Sequence, residues 1–262
     1  MKKQRSLGFA LGSGGSRGVA HIGFLKATEE NGIVPDYIAG CSMGSVVGAG
    51  YALGLTPEKM FEAVGSLKPF DLLSVSGEKG GLFSSKKMRQ TLEKYLGDKD
   101  FSDLKIPFSC VAVDLCSQEL VTFSQGSVLD AVVASSSIPA LFKPLRIGKR
   151  KLVDGGVLER IPARLVKDMG AETVVAVDVL GQRPCGKDGI STLGAVLEIV
   201  DLMDNFRTKK RREENDGIID IWIEPDLGDM NPYTFKRMAF AYERGYFTGV
   251  EYAPQIKKLR KG

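Results

Sequence analysis

The chain has 262 residues, of which 43% are hydrophobic and 26% are charged. This composition is that of a folded globular protein, excludes an intrinsically disordered chain, and fits one large α/β domain at this length. The net charge of +4 is small and no nucleic-acid-binding motif accompanies it, so we expect no nucleic acid as a partner.

The first part of the chain predicts two strands, each followed by a helix. In chain order these elements are a strand over Ser6–Leu11, a glycine-rich loop over Gly12–Gly18, a helix over Val19–Asn31, a strand over Tyr37–Ala39 and a buried helix over Met43–Leu53. This order is typical of a parallel sheet with right-handed crossovers.

The rest of the chain predicts five further helices and four further strands. The pattern predicts helices that open at Thr56-Pro57-Glu58 and that span Ser84–Leu96, Val128–Ala134, Leu193–Glu214 and Phe235–Leu259, and strands over Phe108–Leu115, Leu120–Phe123, Thr173–Val179 and Ile218–Ile223. No repeat or linker interrupts them. We therefore expect a single domain over residues 1–262, with the last strand and the C-terminal helices of 181–262 packing on it.

Gly40-Cys41-Ser42-Met43-Gly44 is a G-x-S-x-G sequence, which is typical of a nucleophile elbow. The flanking glycines allow the serine to occupy a strained turn between a strand and a helix. A serine hydrolase normally activates its serine with a histidine, but the only histidine, His21, lies upstream. Either Ser42 is not a nucleophile, or its base is not a histidine.

The loop over Gly12–Gly18 joins a strand to a helix but does not match a nucleotide-binding motif. Arg17 stands where a dinucleotide fingerprint needs its third glycine, and the Gly-Lys-Ser/Thr ending of a Walker loop is missing. The free N–H groups of such a loop suit an anion or the oxyanion of acyl transfer, although a tight turn without a ligand is the alternative. Asp154-Gly155-Gly156 follows an apolar run, and alone it indicates only a turn.

Together, these motifs resemble the patatin-like phospholipase family. The resemblance rests on Gly12-x-Gly14-Gly15-x-Arg17-Gly18, Gly40-x-Ser42-x-Gly44 and Asp154-Gly155-Gly156, with His21-Ile22-Gly23 and Ala134–Pro139 in family order, and covers residues 6–180. It implies an α/β fold with three layers, in which helices flank a mostly parallel central sheet. With a single histidine and no metal-ligand spacing among the cysteines, we expect no metal and no cofactor.

The resemblance assigns a role to each motif residue. Ser42 would be the nucleophile and Asp154 its base, with Gly14 and Gly15 as the oxyanion hole and Arg17 as the anchor of that loop. The glycines of the elbow and of the aspartate turn would be Gly40, Gly44, Gly155 and Gly156. The chain departs from the family pattern at Ser13, and at Glu159-Arg160, where the family usually has an asparagine and a proline-rich step.

A Ser–Asp dyad favours ester hydrolysis over peptide hydrolysis, because a carboxylate is a modest base and a protonated one suits an alkoxide leaving group. Burial would raise the pKa of Asp154 and improve the match to neutral pH. We therefore expect a serine esterase or lipid acyl hydrolase. Two alternatives remain open: a catalytically weak regulatory or lipid-binding protein on the same scaffold, and an acyltransferase with the same dyad. We expect His21 to pack or to donate a hydrogen bond, and Cys41 to turn into the fold.

The cysteines and the basic clusters complete the expectations. Cys41, Cys110, Cys116 and Cys185 have no zinc-binding spacing, and no apolar run of about eighteen residues predicts a membrane span. We expect a cytoplasmic protein with reduced thiols. The basic residues within 207–212 and 257–261 allow a peripheral contact with an anionic membrane, although Glu213 and Glu214 favour a solvated helix end. The sequence indicates no oligomeric state.

Overall fold

A computed structural model describes residues 4–66, 74–75, 83–181, 191–213 and 217–261. The interpretations of Cys185 and of Glu214 as a helix end concern positions outside these ranges. Within these ranges, no helix combines the length and the hydrophobicity that a bilayer crossing requires.

The centre of the molecule is an eight-stranded sheet. Its strands are β1 (Leu7–Leu11), β2 (Tyr37–Cys41), β5 (Phe108–Asp114), β6 (Glu119–Phe123), β7 (Leu145–Ile147), β8 (Arg150–Asp154), β9 (Thr173–Val177) and β10 (Ile221–Ile223). Two further strands, β3 (Ser74–Val75) and β4 (Phe83–Ser84), pair with each other in a separate antiparallel sheet. The order is β10-β9-β1-β2-β5-β8-β7, and β6 also pairs with β5. The five strands from β10 to β5 run parallel, whereas β6, β7 and β8 pair antiparallel with their neighbours. The predicted mostly parallel sheet is confirmed.

Helices cover both faces of the sheet. They are α1 (Val19–Glu30), α2 (Met43–Leu53), α3 (Pro57–Ser66), α4 (Lys86–Leu96), α5 (Val128–Ser135), α6 (Ala163–Asp168), α7 (Thr192–Glu213) and α8 (Met238–Lys261). Alternate residues of β1 separate the two faces, because Phe9 packs in the large core with α1, α2 and α8 whereas Ala10 packs with Val166 of α6. The three-layer α/β fold predicted from the family resemblance is therefore correct.

Helices α1 and α8 approach each other closely because glycines lie between them. A Cβ atom at Gly23 would lie 2.0 Å from the carbonyl oxygen of Tyr242, and one at Gly245 would lie 1.9 Å from that of Ala20. Helix α8 therefore packs directly on α1, next to the glycine loop that precedes α1.

Several elements differ from the sequence-based expectations. The pattern missed α6 and the short strands β3, β4 and β7, and placed the first residues of β10 and α8 too early. Strand β2 continues to Cys41, whereas β9 stops at Val177 because Asp178 turns the chain, accepting hydrogen bonds from the N–H groups of Leu180 and Gly181.

Strand β5 brings two distant chain segments together. One edge of β5 pairs with β2 up to Val111, opposite Cys41, and then with β8 from Ala112, opposite Asp154. Both partners lie on the same edge, because β6 pairs with both parts of β5 on the other edge. The C-terminal ends of β2 and β8, at Cys41 and Asp154, therefore point towards each other along this edge. The residues that follow these two strands lie side by side.

Candidate active site

Ser42 lies at the sharp turn between β2 and α2 with φ of 53° and ψ of −123°. This strained conformation is held from three sides. The N–H of Ser42 donates a hydrogen bond of 2.9 Å to Ser135 Oγ, and its carbonyl accepts one of 2.6 Å from Ser45 Oγ. A Cβ atom at Gly44 would lie 2.1 Å from the carbonyl oxygen of Leu11, and one at Gly40 would lie 2.6 Å from that of Gly44. Both glycines are required for this turn, as in a nucleophile elbow.

Asp154 ends β8 and faces the serine. Its Oδ2 atom accepts a hydrogen bond of 2.5 Å from Ser42 Oγ, and its Oδ1 atom accepts one of 2.8 Å from the N–H of Gly156. Gly155 fits beneath the turn, since a Cβ atom there would lie 2.5 Å from the carbonyl oxygen of Val111. Burial raises the pKa of Asp154 to about 6, while the two hydrogen bonds act in the opposite direction.

The glycine loop between β1 and α1 lies beside this pair. The N–H groups of Gly12, Ser13 and Ser16 donate to the carbonyl oxygens of Val177, Arg160 and Pro232, respectively. Those of Gly14 and Gly15 donate to no group in the described part of the chain. Gly15 has a φ of +50°, and a Cβ atom there would lie 2.3 Å from the carbonyl oxygen of Pro232. The loop thus has two N–H groups available to a ligand.

Arg17 connects the glycine loop to two other segments. The side chain is only 2% exposed. Its Nε atom donates to the carbonyl oxygen of Val179 at 2.6 Å, and its guanidinium also donates to the carbonyl oxygens of Gly228 and Met230. These contacts tie the loop to the chain after β9 and to the segment before α8.

His21 holds the backbone of the same loop. Its Nε2 atom donates a hydrogen bond of 2.8 Å to the carbonyl oxygen of Gly12, so this nitrogen carries the proton. Complete burial lowers the pKa of His21 to about 4, and Nδ1 has no hydrogen-bond partner within the described residues. The histidine is therefore neutral and supports the loop, whereas the side chain that contacts Ser42 Oγ is Asp154.

Cys41 is fully buried behind the nucleophile elbow. Its Sγ atom accepts a hydrogen bond from Ser13 Oγ at 3.1 Å and lies 3.8 Å from Asp154 Oδ1. Burial, reinforced by the Asp154 carboxylate, raises the pKa of this thiol well above its usual value. Cys41 is therefore a packing residue with the sulfur protonated, as the elbow geometry predicted.

Arg160, one of the residues at which the chain departs from the family pattern, is a buried ionic centre near the site. It donates to Asp178 Oδ2 at 2.7 Å and to Asp204 Oδ2 at 3.0 Å, and its carbonyl oxygen accepts from the N–H of Ser13. The neighbouring Glu159 pairs with Arg211. Sequence reasoning missed Asp178 and Asp204, for which the available signals were an acid directly after an apolar strand and a polar stripe within α7.

A small cavity of about 50 Å³ lies over Ser42 and Asp154. Ser42, Asp154, Gly14 and Gly15 line it together, so the structure brings all four predicted residues to one space. Tyr233 also lines this space, and its hydroxyl donates to Asp201 Oδ1 at 2.7 Å.

A larger apolar cavity of about 360 Å³ also reaches Ser42. Its described walls come from α2, α3, α4 and α7 and from the segments after α5 and before α8, with side chains such as Val46, Val64, Leu92 and Phe142. Its size lies within the range of small-molecule sites. Ser42 therefore lies between a small space with free N–H groups and a larger apolar space.

No cluster of His, Cys, Asp and Glu suited to a metal ion occurs in the ranges that the structure describes.

The family model for patatin-like phospholipase matches residues 9–167, which include Ser42, Asp154 and the glycine loop. The chain belongs to the patatin-like phospholipase family. Among its relatives, an uncharacterised NTE family protein of Mycobacterium tuberculosis is 34% identical over 174 residues, which are 66% of this chain and 48% of that protein. The human patatin-like phospholipase domain-containing protein 6 is 32% identical over 185 residues, which are 68% of this chain and 14% of that protein.

Other relatives extend this comparison within the family. Lysophospholipase NTE1 of Coccidioides immitis is 32% identical over 184 residues, which are 67% of this chain and 12% of that protein. The chain thus spans half or less of the relatives it matches. The crystal structure of VipD from Legionella pneumophila superposes with a TM-score of 0.64 at 14% identity, covering 98% of this chain and 67% of that one. This likeness shows that the two share a fold.

Proposed function

We propose that this patatin-like chain is a serine esterase that hydrolyses acyl esters of lipids through a Ser42–Asp154 dyad. The observation that carries the proposal is the 2.5 Å hydrogen bond from Ser42 Oγ to Asp154 Oδ2, made where Ser42 lines an apolar cavity. Family membership and the lysophospholipase among the relatives support a lipid substrate.

In the proposed mechanism, Ser42 Oγ attacks the ester carbonyl while its proton passes to Asp154 Oδ2. The second carboxylate oxygen, Oδ1, keeps the hydrogen bond that it accepts from the Gly156 N–H, and this bond orients the base. The negative charge on the carbonyl oxygen is accepted by the N–H groups of Gly14 and Gly15, each contributing on the order of 10²–10³ in rate.

The acyl-enzyme forms when the carbon–oxygen bond of the ester breaks and the departing alkoxide takes the proton from Asp154. The carboxylate then removes a proton from water, and the resulting attack on the acyl carbon releases the fatty acid and restores Ser42. Arg17 and His21 contribute by holding the loop that carries the two N–H donors.

The experiment that tests the proposal is turnover of a soluble short-chain ester by four proteins. We expect Ser42→Ala and Asp154→Asn to lose activity by at least about 10³-fold, because each removes one half of the dyad. Asp114→Asn is the matched control, since Asp114 also ends a strand and accepts backbone N–H groups, those of Cys116 and Lys151, but its side chain bonds Ser117 rather than Ser42.

Near-full activity in Asp154→Asn would refute the dyad. Absence of saturable turnover in the folded wild-type protein would favour a regulatory or lipid-binding role. Product analysis with a competing alcohol separates hydrolysis from acyl transfer, which uses the same residues.

A further inference from the structure

Helix α7 carries an apolar stripe on its solvent-facing side. We define this stripe as Val196, Ile199, Leu202, Met203 and Phe206, which recur at spacings of three and four residues. Leu202 is 68% exposed and Phe206 is 70% exposed. A contiguous apolar surface of this kind indicates an interaction site.

The orientation of α7 is fixed by polar contacts on the opposite side. Asp201 and Asp204 are buried there and accept hydrogen bonds from Tyr233 and Arg160, respectively. Turning the apolar stripe inward would break these contacts and leave buried charges without partners. The exposed stripe is therefore a stable feature of the folded chain.

The inner side of the same helix lines the spaces at the dyad. Leu193 and Leu197 line the apolar cavity, and Val200 lines the small space that contains Ser42 and Asp154. Because a helix with its side chains is about 10 Å in diameter, a surface that contacts the stripe lies about one helix away from the cavity.

The C-terminal end of the stripe is basic. Lys209, Lys210, Arg211 and Arg212 follow Phe206 directly after one turn, and all four side chains are exposed. Arg211 and Arg212 pair with Glu159 and Glu224, and Lys209 lies 3.8 Å from Glu213. An apolar stripe that ends in lysines is typical of helices that lie in the interface of an anionic membrane.

The footprint favours a bilayer over a protein partner. The stripe is about 16 Å long, because the eleven helix residues from Val196 to Phe206 rise about 1.5 Å each, and it is one helix, or about 10 Å, wide. These dimensions give a footprint of about 160 Å², which is far below the roughly 800 Å² per partner that a stable protein–protein interface buries. A lipid surface needs no complementary pocket.

We propose that the apolar stripe of α7 and the adjacent Lys209 and Lys210 dock the protein on an anionic phospholipid bilayer, an inference that rests on the proposed lipid esterase. The stripe enters the headgroup region, the lysines meet anionic headgroups, and the inner side of the helix keeps the catalytic cavity next to the membrane.

The test uses vesicles of phosphatidylcholine with 30% phosphatidylglycerol and the full chain. Phe206→Trp and Phe247→Trp place a reporter on α7 and on an equally exposed site of α8, where Phe247 is 62% exposed. The single natural tryptophan, Trp222, contributes the same background to both. With brominated phosphatidylcholine in the vesicles, we expect quenching of the reporter at 206 and none at 247. Equal quenching of both, or of neither, would overturn the proposal.

Co-sedimentation with the same vesicles gives an independent result. We expect Leu202→Gln/Phe206→Gln to bind at least about tenfold more weakly than the wild type, and Phe247→Gln/Val250→Gln to bind equally well. Lys209→Gln/Lys210→Gln should lose roughly fivefold per lysine on the anionic vesicles only. If the wild type is a dimer without vesicles and Leu202→Gln/Phe206→Gln is a monomer, the stripe is a self-contact and the proposal is wrong.

Failure of this inference is distinguishable from failure of the proposed function. Vesicle binding requires no turnover and can be measured in Ser42→Ala, whereas hydrolysis of a soluble ester requires no membrane. All stripe variants should keep the wild-type rate on that soluble ester, which also shows that they are folded. Turnover without vesicle binding would reject the membrane surface alone.

Discussion

Asp154 serves as the proposed base in a buried position, and this position destabilises the fold at neutral pH. Burial raises its pKa from 3.8 to about 6, so the folded chain holds a proton that the unfolded chain has released between these values. Stability from this group therefore falls as the pH rises from about 4 to about 6. Since one pKa unit corresponds to about 1.4 kcal/mol, the loss is on the order of 3 kcal/mol.

This linkage predicts that Asp154→Asn stabilises the protein at pH 7.5 but not at pH 4.5. The amide has no charge to bury, so the melting temperature of the variant should exceed that of the wild type only at the higher pH. Differential scanning calorimetry at both values measures the difference. Asp114→Asn is the control with the opposite sign, because the Cys116 N–H holds the pKa of Asp114 below its usual range. An Asp154→Asn effect that is equal at both pH values would contradict the linkage.

Arg160 is the residue whose removal should destabilise the site's surroundings most. Arg160→Leu would leave the buried Asp178 and Asp204 without their common partner, which costs about 3–5 kcal/mol in comparable cases. Chemical denaturation measures the loss. Arg211→Leu removes a pair that is half exposed on the arginine side, for which we expect less than about 1 kcal/mol. Similar losses of unfolding free energy in both variants would show that the buried ion pairs of Arg160 stabilise the fold no more than the partly exposed pair of Arg211.

The turn between β2 and α2 depends on glycines because the neighbouring strand backbone occupies the space of a side chain. We expect Gly44→Ala to abolish activity and to destabilise the fold by more than about 3 kcal/mol, since its Cβ atom would overlap the Leu11 carbonyl. Gly65→Ala in α3 is the matched control. Its Cβ atom would meet nothing within 4 Å, so a gain of about 0.5–1 kcal/mol is expected. Denaturant unfolding curves measure the stability of both variants, and ester turnover measures their activity. A fully active Gly44→Ala would exclude the close contact between residue 44 and the Leu11 carbonyl.

The helices around the apolar cavity should determine acyl-chain length. Each buried methylene contributes about 0.8 kcal/mol, so kcat/KM should rise roughly fourfold per methylene until the cavity is full. We expect Val46→Trp, which fills the cavity beside Ser42, to keep turnover of acetate esters but to lose the gain with longer chains. Val250→Trp on the exposed face of α8 should behave as the wild type. An unchanged chain-length profile in Val46→Trp would mean that the acyl chain binds elsewhere.

At the scale of the whole molecule, the sheet assembles the dyad from parts that are far apart in sequence. Short motifs predicted the elbow, the glycine loop and the aspartate turn, because each depends on glycines at fixed local spacing. These motifs come together because one edge of β5 pairs with β2 up to Val111 and with β8 from Ala112 onwards. Strand periodicity contains no signal for this change of partner, and only the family resemblance joined Ser42 to Asp154 before the structure did.

Long-range pairing also explains what the sequence did not predict. Arg160 gains its role from Asp178 and Asp204, which come from the end of β9 and from α7, and the local sequence around Arg160 suggested only a departure from the family pattern. The burial of the polar side of α7 depends on the same partners. Hydrophobic periodicity alone would have predicted the apolar stripe to face the core.

The central claim is that a buried carboxylate activates Ser42, and covalent labelling with a fluorophosphonate tests it most directly. The rate of labelling should be measured from pH 4.5 to 8, with the modified residue mapped by mass spectrometry. We predict a single adduct on Ser42 whose rate of formation rises through about pH 6, as Asp154 loses its proton, and which is nearly absent in Asp154→Asn. Labelling of Ser42 at a rate that is unchanged in Asp154→Asn, or no labelling of the folded wild type, would contradict the account.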